Sequence, residues 1–124
     1  MILEVAILNI KDRLDLDFET AFKKAEAIIS SMEGYISHSF QKCIEKDNQY
    51  ILLVNWKNLE DHTIRFRQSK EYQEWKTLLH HYYDPFPEVE HYQSVLPHIK
   101  STQPILKTNR LILNAFTQIG RAHV

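Results

Sequence analysis

Glycine is nearly missing from this chain: there are two in 124 residues, beside four prolines and a single cysteine. So few glycines exclude a phosphate-cradling Gly-rich loop, and the shortage of both turn formers argues against disorder. Cys43 stands alone, which excludes an intrachain disulfide and a multi-cysteine metal site. It has no identifiable basic partner to activate it, so it reads as inert rather than nucleophilic. The net charge of −1 provides no general attraction to nucleic acid or to an anionic membrane. No apolar run approaches the roughly 18–20 residues that a membrane span requires. Glu4 interrupts the apolar N-terminal stretch and no basic segment accompanies it, which argues against a signal peptide. A cytoplasmic protein with no nucleic-acid or membrane partner is expected.

What is present is ordinary for one globular domain: 44% hydrophobic and 25% charged residues. The charge, however, is unevenly spread. Lys100, Lys107, Arg110 and Arg121 fall in 97–124, which holds no Asp or Glu, so the first 96 residues carry 11 basic against 16 acidic side chains. That shift separates a patterned domain, 1–96, from a C-terminal extension, 97–124. The extension reads as a short packed element or a poorly ordered tail. Its end, "QIGRAHV", can also be written CAG ATC GGA AGA GCA CAC GTC, which contains the start of a widely used sequencing-library adapter. Adapter read-through from about Ile119 onward is therefore a third reading of the extension, beside the packed element and the tail.

Within 1–96 the hydrophobic pattern predicts six elements. "ILEVAILNI" (2–10) is a strand with two largely apolar faces, Leu3, Val5, Ile7 and Asn9 on one and Ile2, Glu4, Ala6, Leu8 and Ile10 on the other. Phe18, Ala21, Phe22, Ala25, Ile28, Ile29 and Met32 form one helical stripe, within about 120° at ~100° per residue. Asp15 or Asp17 can cap its start, and Gly34 suits its end. "YISHSFQKCI" (35–44) alternates, placing Ile36, His38, Phe40 and Ile44 opposite Tyr35, Ser37, Ser39 and Gln41. A turn joins it to the nearly continuous apolar strand "QYILLVNW" (49–56). A second helix starts near Asn58 with Asp61 three residues on, like a capping box, and restarts at Ser69 after a kink. Its continuation carries the stripe Tyr72, Trp75, Leu78, Leu79 and Tyr82, and "DPFP" ends it. "EVEHYQSVL" (88–96) is the last strand.

Right-handed crossovers of this βαββαβ order build an α+β, ferredoxin-like fold: a four-stranded antiparallel sheet with both helices on one face. The strands at 2–10 and 49–56 are apolar on both faces, whereas a water-facing antiparallel sheet should alternate. A second copy packed sheet to sheet, as a homodimer, is the expected cover.

The stretches "MILEVAILNIK", "SMEGYISHSFQKC", "YILLVNWKNLEDH" and "FRQSKEYQEWKTLLHHYYDPFPEVEHY" resemble the antibiotic biosynthesis monooxygenase family, part of the dimeric α/β-barrel group. The resemblance covers 1 to about 96 and rests on the Gly-Tyr turn, the Trp ending strand three and "FRQS-EYQEW". It implies a ferredoxin-like protomer that dimerises through its sheets. It also implies a cofactor-independent monooxygenase acting on a quinol or phenolic aromatic with dioxygen. Other members degrade haem, and many have no known role, so a haem-degrading enzyme and a non-catalytic, dimeric, small-molecule-binding or stress-related protein stand as alternatives. Two positions depart from the family's patterns. Phe66 stands where many members carry a histidine, and Lys76 where the haem-degrading branch carries its ligand.

Cofactor-independent oxygenation needs an apolar pocket and a few polar groups that favour a deprotonated substrate. On the presumed helix-facing side of the sheet, His38, Asn9 and, beside helix two, His62 are the candidate catalytic groups. Phe66, Tyr72, Trp75, His91 and Trp56 are the candidate pocket residues, with Trp56 alternatively in the dimer seam. Each has a plainer reading, as a core histidine, a strand-terminating Asn or a packing aromatic. No metal site is expected, since His38 and His91 sit on opposite sheet edges, about 14 Å apart, and no compact triad occurs. His80 and His81 are placed on the solvent side of the helix end, with Glu88 and Glu90 facing away from His91.

Overall fold

The architecture comes from a computed structural model of the chain, which describes residues 1–96; the readings made for 97–124 lie outside the described residues. The first compact unit, Met1–Gln93, contains every element found among the described residues. Strand β1 (Ile2–Asn9) leads into helix α1 (Asp15–Ser30), then strands β2 (Tyr35–Lys42) and β3 (Gln49–Trp56). A π-helical turn (Asp61–Phe66), helix α2 (Lys70–Leu79), a 3-10 turn (His80–Tyr82) and strand β4 (Val89–Tyr92) complete it. The sheet order is β2-β3-β1-β4 with every pairing antiparallel, the α+β, ferredoxin-like arrangement the pattern predicts.

Period-2 alternation sets the faces. On β1, Glu4, Ala6 and Leu8 are buried, and on β3 Tyr50, Leu52, Val54 and Trp56 are. Phe18, Phe22, Ala25 and Ile29 of α1, with Trp75 and Leu79 of α2, bury against that side. Each such fully buried side chain contributes about 1.5–3 kcal/mol, enough to hold both helices on one face. Leu3, Val5 and Ile7 share the opposite face with Ile51 and Leu53, and Ile7 is 39% exposed. Asn9 belongs to this open face too. Its expected position under the helices was a parity error, because the core side of β1 is the one carrying Glu4.

Strand β2 departs from strict alternation. A register shift between Tyr35 and Ser37 pairs Tyr35 with Trp56 and His38 with Val54, so Tyr35 joins His38 on the helix side and Ile36 is left 50% exposed. A bulge inserts one residue and flips the parity beyond it. β4 is shorter than the predicted 88–96, ending at Tyr92.

The local signals around the helices divide. No side chain caps α1, and Asp15 instead meets Lys42 Nζ at 3.3 Å. Ser69 does cap α2, its hydroxyl accepting from the Tyr72 N–H at 3.1 Å. At the π-helical turn the Asn58 N–H donates to Asp61 Oδ2 at 2.9 Å, half of the predicted capping box. Asp61 is buried, and Gly34 is what admits it: a Cβ on Gly34 would lie 2.2 Å from Asp61 Cγ, and its φ of +88° is open to glycine. That contact pins the start of the turn carrying the next residue, His62.

Candidate functional site

Between the π-helical turn, α2, the sheet and the 80–89 segment lies a cleft of about 570 Å³, within the range of about 300–1,000 Å³ usual for small-molecule sites. Ala6, Leu8, Leu52 and Val89 form its aliphatic floor. Phe66, Tyr72, Trp75, Tyr83 and Phe86 supply aromatic walls. The polar groups are Glu4, His62, Arg67, His80 and Glu88.

The π-helical turn positions His62. Its wider winding brings the Arg67 N–H to the His62 carbonyl at 3.2 Å, and it turns both His62 and Phe66 inward, where each is buried. The His62 ring stacks on Trp56 with centroids 5.4 Å apart and planes 18° apart.

Two side chains meet one carboxylate oxygen, and a third stands behind them. Trp56 Nε1, which can only donate, gives its hydrogen to Glu4 Oε1 at 2.9 Å. His62 Nε2 lies 3.4 Å from the same oxygen, and His62 Nδ1 lies 2.7 Å from His91 Nε2. In the His62–His91 bond one ring nitrogen donates and the other accepts, and we place the hydrogen on His91 Nε2, while His62 Nε2 only approaches Glu4 Oε1 at 3.4 Å. The tautomers are inferred from this network. Register explains the meeting, because Glu4 pairs with His91 across β1 and β4.

Burial governs the charges. Glu4 is 5% exposed, and loss of hydration pushes its carboxyl up to about 7, against the smaller pull of the Trp56 hydrogen bond and of the Arg67 charge. Burial pushes His62 down to about 3, with the Arg67 and His91 charges adding to the effect. His62 is therefore a neutral imidazole at pH 7. His91 and His80 are also shifted down, chiefly by burial. The cleft floor thus holds a carboxyl poised near neutrality beside a neutral imidazole, a pair suited to taking and returning a proton.

The expected site residues separate into three groups. His62, Phe66, Tyr72 and Trp75 line the cleft. Trp56 and His91 stand one layer behind it, bonded to Glu4 and His62; Trp56 faces the helices, away from any sheet-to-sheet seam. His38 and Asn9 lie elsewhere. His38 Nδ1 is 2.6 Å from Tyr35 Oη and its Nε2 is 3.1 Å from Glu26 Oε1, packed on Phe22. Asn9 contributes its backbone oxygen to the Asp84 N–H at 2.8 Å.

Glu4, Arg67, His80 and Tyr83 escaped the sequence reading. Glu4 had left a signal, a lone carboxylate on the same strand parity as Ala6 and Leu8. His80 was placed on the solvent side by extending the helical period of α2. The chain tightens into a 3-10 turn at His80–Tyr82, which turns His80 into the cleft while His81 stays exposed. Glu88 likewise reaches the cleft rim. Lys76 is exposed, its Nζ 6.0 Å from the Tyr72 ring centroid. Among the described residues no group of three or more His, Cys, Asp or Glu has metal-binding geometry.

Comparison with known proteins agrees with the fold. The antibiotic biosynthesis monooxygenase family model matches residues 1–78. The uncharacterized protein YczJ of Bacillus subtilis strain 168 is 58% identical over 95 residues, spanning 77% of this chain and all of that protein. A solved structure from Bordetella bronchiseptica, assigned to the same family, aligns with a TM-score of 0.73 at 30% identity, over 77% of this chain and 97% of that one. SnoaB, a cofactor-independent oxygenase from Streptomyces nogalater, shares the fold with a TM-score of 0.58 at 18% identity, over 78% of this chain and 97% of its own. The chain belongs to the antibiotic biosynthesis monooxygenase family.

Proposed function

We propose that this protein is a cofactor-independent monooxygenase of a quinol or phenolic aromatic. The observation that carries the reading is the Glu4–His62 pair on the floor of an aromatic-walled cleft. Glu4 takes the role of base, since burial raises its pKa to about 7, near the working pH. A ring held among Phe66, Tyr72 and Trp75 gives its hydroxyl proton to Glu4. The electron-rich phenolate then passes one electron to dioxygen, and the pair recombines at a ring carbon to form a C–O bond. Loss of water, with the proton returned through Glu4, leaves a quinone. One phenol and one dioxygen become one quinone and one water, so the substrate supplies every electron.

His62 holds Glu4 in place and links it to half-buried His91. His38 and Asn9 have no part in this chemistry. The working unit is a homodimer joined through the open sheet face at Leu3, Val5, Ile7, Ile51 and Leu53. Leu53→Lys is expected to yield monomers in light scattering, and a monomeric parent protein would remove the dimer from the scheme.

The test is oxygen uptake with a panel of hydroquinones, naphthols and anthrones, without added flavin or metal, with quinone formation followed by absorbance. Uptake that vanishes in Glu4→Gln supports the reading. Binding without uptake across the whole panel would leave a ligand-binding module instead. One observation favours a second reading: the His80 ring lines the cleft with no hydrogen bond among the described residues, leaving a nitrogen free to hold haem iron. A Soret band on haem titration that is lost in His80→Ala would establish that reading.

A further inference from the structure

Two arginines leave the π-helical turn in different states. Arg65 is committed: it pairs with Glu33, and its Nε lies 3.4 Å from Asp61 Oδ1. Arg67, two residues on, lines the cleft and has no ion pair among the described residues. Its backbone is not loose, since its N–H is bonded to the His62 carbonyl at 3.2 Å. The backbone that carries the guanidinium is therefore fixed beside the cleft, and among the described residues the guanidinium itself makes no hydrogen bond.

The other charges nearby do not answer it. Glu4 is engaged below by Trp56 and His62. His62 is neutral. Glu88, the remaining acidic residue of the cleft, is exposed at the rim and lies beyond ion-pair distance of Arg67. The Arg67 charge acts on Glu4, His62, Tyr72 and His91 alike, so its field reaches the interior as well as the mouth. A guanidinium presents a planar fork of donors that matches a carboxylate bidentately. The walls around it are flat and aromatic. A hydroxyl-accepting carboxylate lies at the floor.

We infer that the cleft selects hydroxyaryl carboxylates: the ring lies among the aromatic walls, the hydroxyl meets Glu4, and the carboxylate is held by Arg67. This rests on the phenol-oxidising reading of the same cleft and adds the charge of the substrate to it. Arg67 acts as an anchor on the substituent and takes no part in moving the proton. A neutral phenol of the same shape enters the same walls but leaves the guanidinium unpaired.

The experiment is calorimetric titration of the full chain with matched pairs: 1-hydroxy-2-naphthoate against 1-naphthol, and 4-hydroxybenzoate against phenol. In at least one pair the acid is expected to bind ~10-fold more tightly or better, about what one charge-assisted pair contributes. Arg67→Gln should abolish that preference by weakening the acid far more than the neutral member, and Arg67→Lys should retain part of it. Glu88→Gln should tighten the acid alone, and added salt should weaken the acid alone. Equal binding within every pair, no binding by any compound, or a preference that survives Arg67→Gln would each overturn the inference. Arg67 is exposed, so its replacement leaves the core intact, and far-UV circular dichroism checks this. Oxygen uptake on the same compounds separates the two readings. If neutral phenols are oxidised without acid preference, the anchor falls and the oxidation stands. If nothing is oxidised, the oxidation falls whatever the binding shows.

Discussion

Two histidine–carboxylate pairs lie along one row of the sheet, where His38 pairs with Val54, Val54 with Glu4, and Glu4 with His91. At one end His38 meets Glu26 at 3.1 Å, and toward the other His62 meets Glu4 at 3.4 Å. The residue types match and the separations are close, yet the surroundings are opposite. The Glu26 side chain is 46% exposed and keeps its water, whereas the Glu4 side chain is 7% exposed. Val54, fully buried, separates the two. Glu4 and His62 line the aromatic-walled cleft, and His38 and Glu26 do not. Dehydration and access, rather than residue identity, decide which pair can do chemistry.

The largest effect that would break this comparison is on turnover. Glu4→Gln is expected to lower kcat/KM for a phenolic substrate by about 10²–10⁴-fold, the usual worth of a positioned base, while Glu26→Gln leaves it unchanged. Equal losses, read with an oxygen electrode, would erase the distinction between the two pairs.

Stability against pH sharpens it next. Glu4 has its folded pKa raised from 4.5 to about 7, so between those values the folded chain holds more protons than the unfolded one. Its contribution to stability is full below 4.5 and is lost as pH rises toward 7. His62 has its folded pKa lowered from 6.5 to about 3, so the unfolded chain holds more protons. Its term therefore improves stability as pH rises from 3 to 6.5. Each slope is about 1.4 kcal/mol per pH unit, and their signs oppose. Urea unfolding from pH 4.5 to 6.5 should thus show little net dependence from this pair. Glu4→Gln should leave stability rising with pH, and His62→Gln should leave it falling. Parallel profiles for both variants would refute the assigned burial.

Smaller effects belong to the outer pair and the open face. His38→Ala removes its contacts with Tyr35 and Glu26 and should cost about 1–3 kcal/mol in chemical denaturation, with the oxidation rate untouched. Asn9→Ala should stay within roughly 0.5 kcal/mol and leave the rate unchanged. A rate loss in either variant would return it to the catalytic group from which its position removes it.

The fold was legible because its signals are local. The α1 stripe from Phe18 to Met32, the Ser69 cap and the apolar runs of β1 and β3 depend on neighbours a few residues away. The site was legible only in part. His62, Phe66, Tyr72 and Trp75 line the cleft as the sequence suggested, because a pocket-facing aromatic stripe has the same period as a core stripe. His80 was misplaced because the 3-10 turn breaks that period, and Tyr35 because a bulge shifts the parity of β2. Asn9 was misplaced for a different reason. β1 is apolar on both faces, so its alternation does not say which face the helices cover.

By itself, the sequence determined the order of elements and the sheet they form, since both depend on short-range periodicity, and its motifs carried the resemblance to the family that the comparison shows. Only the tertiary structure decided that Glu4, His62 and His91, drawn from β1, the π-helical turn and β4, meet in one polar cluster. The reason is physical. A carboxyl's pKa follows from the water excluded around it and the donors brought to it, and both are supplied by parts of the chain far away in sequence.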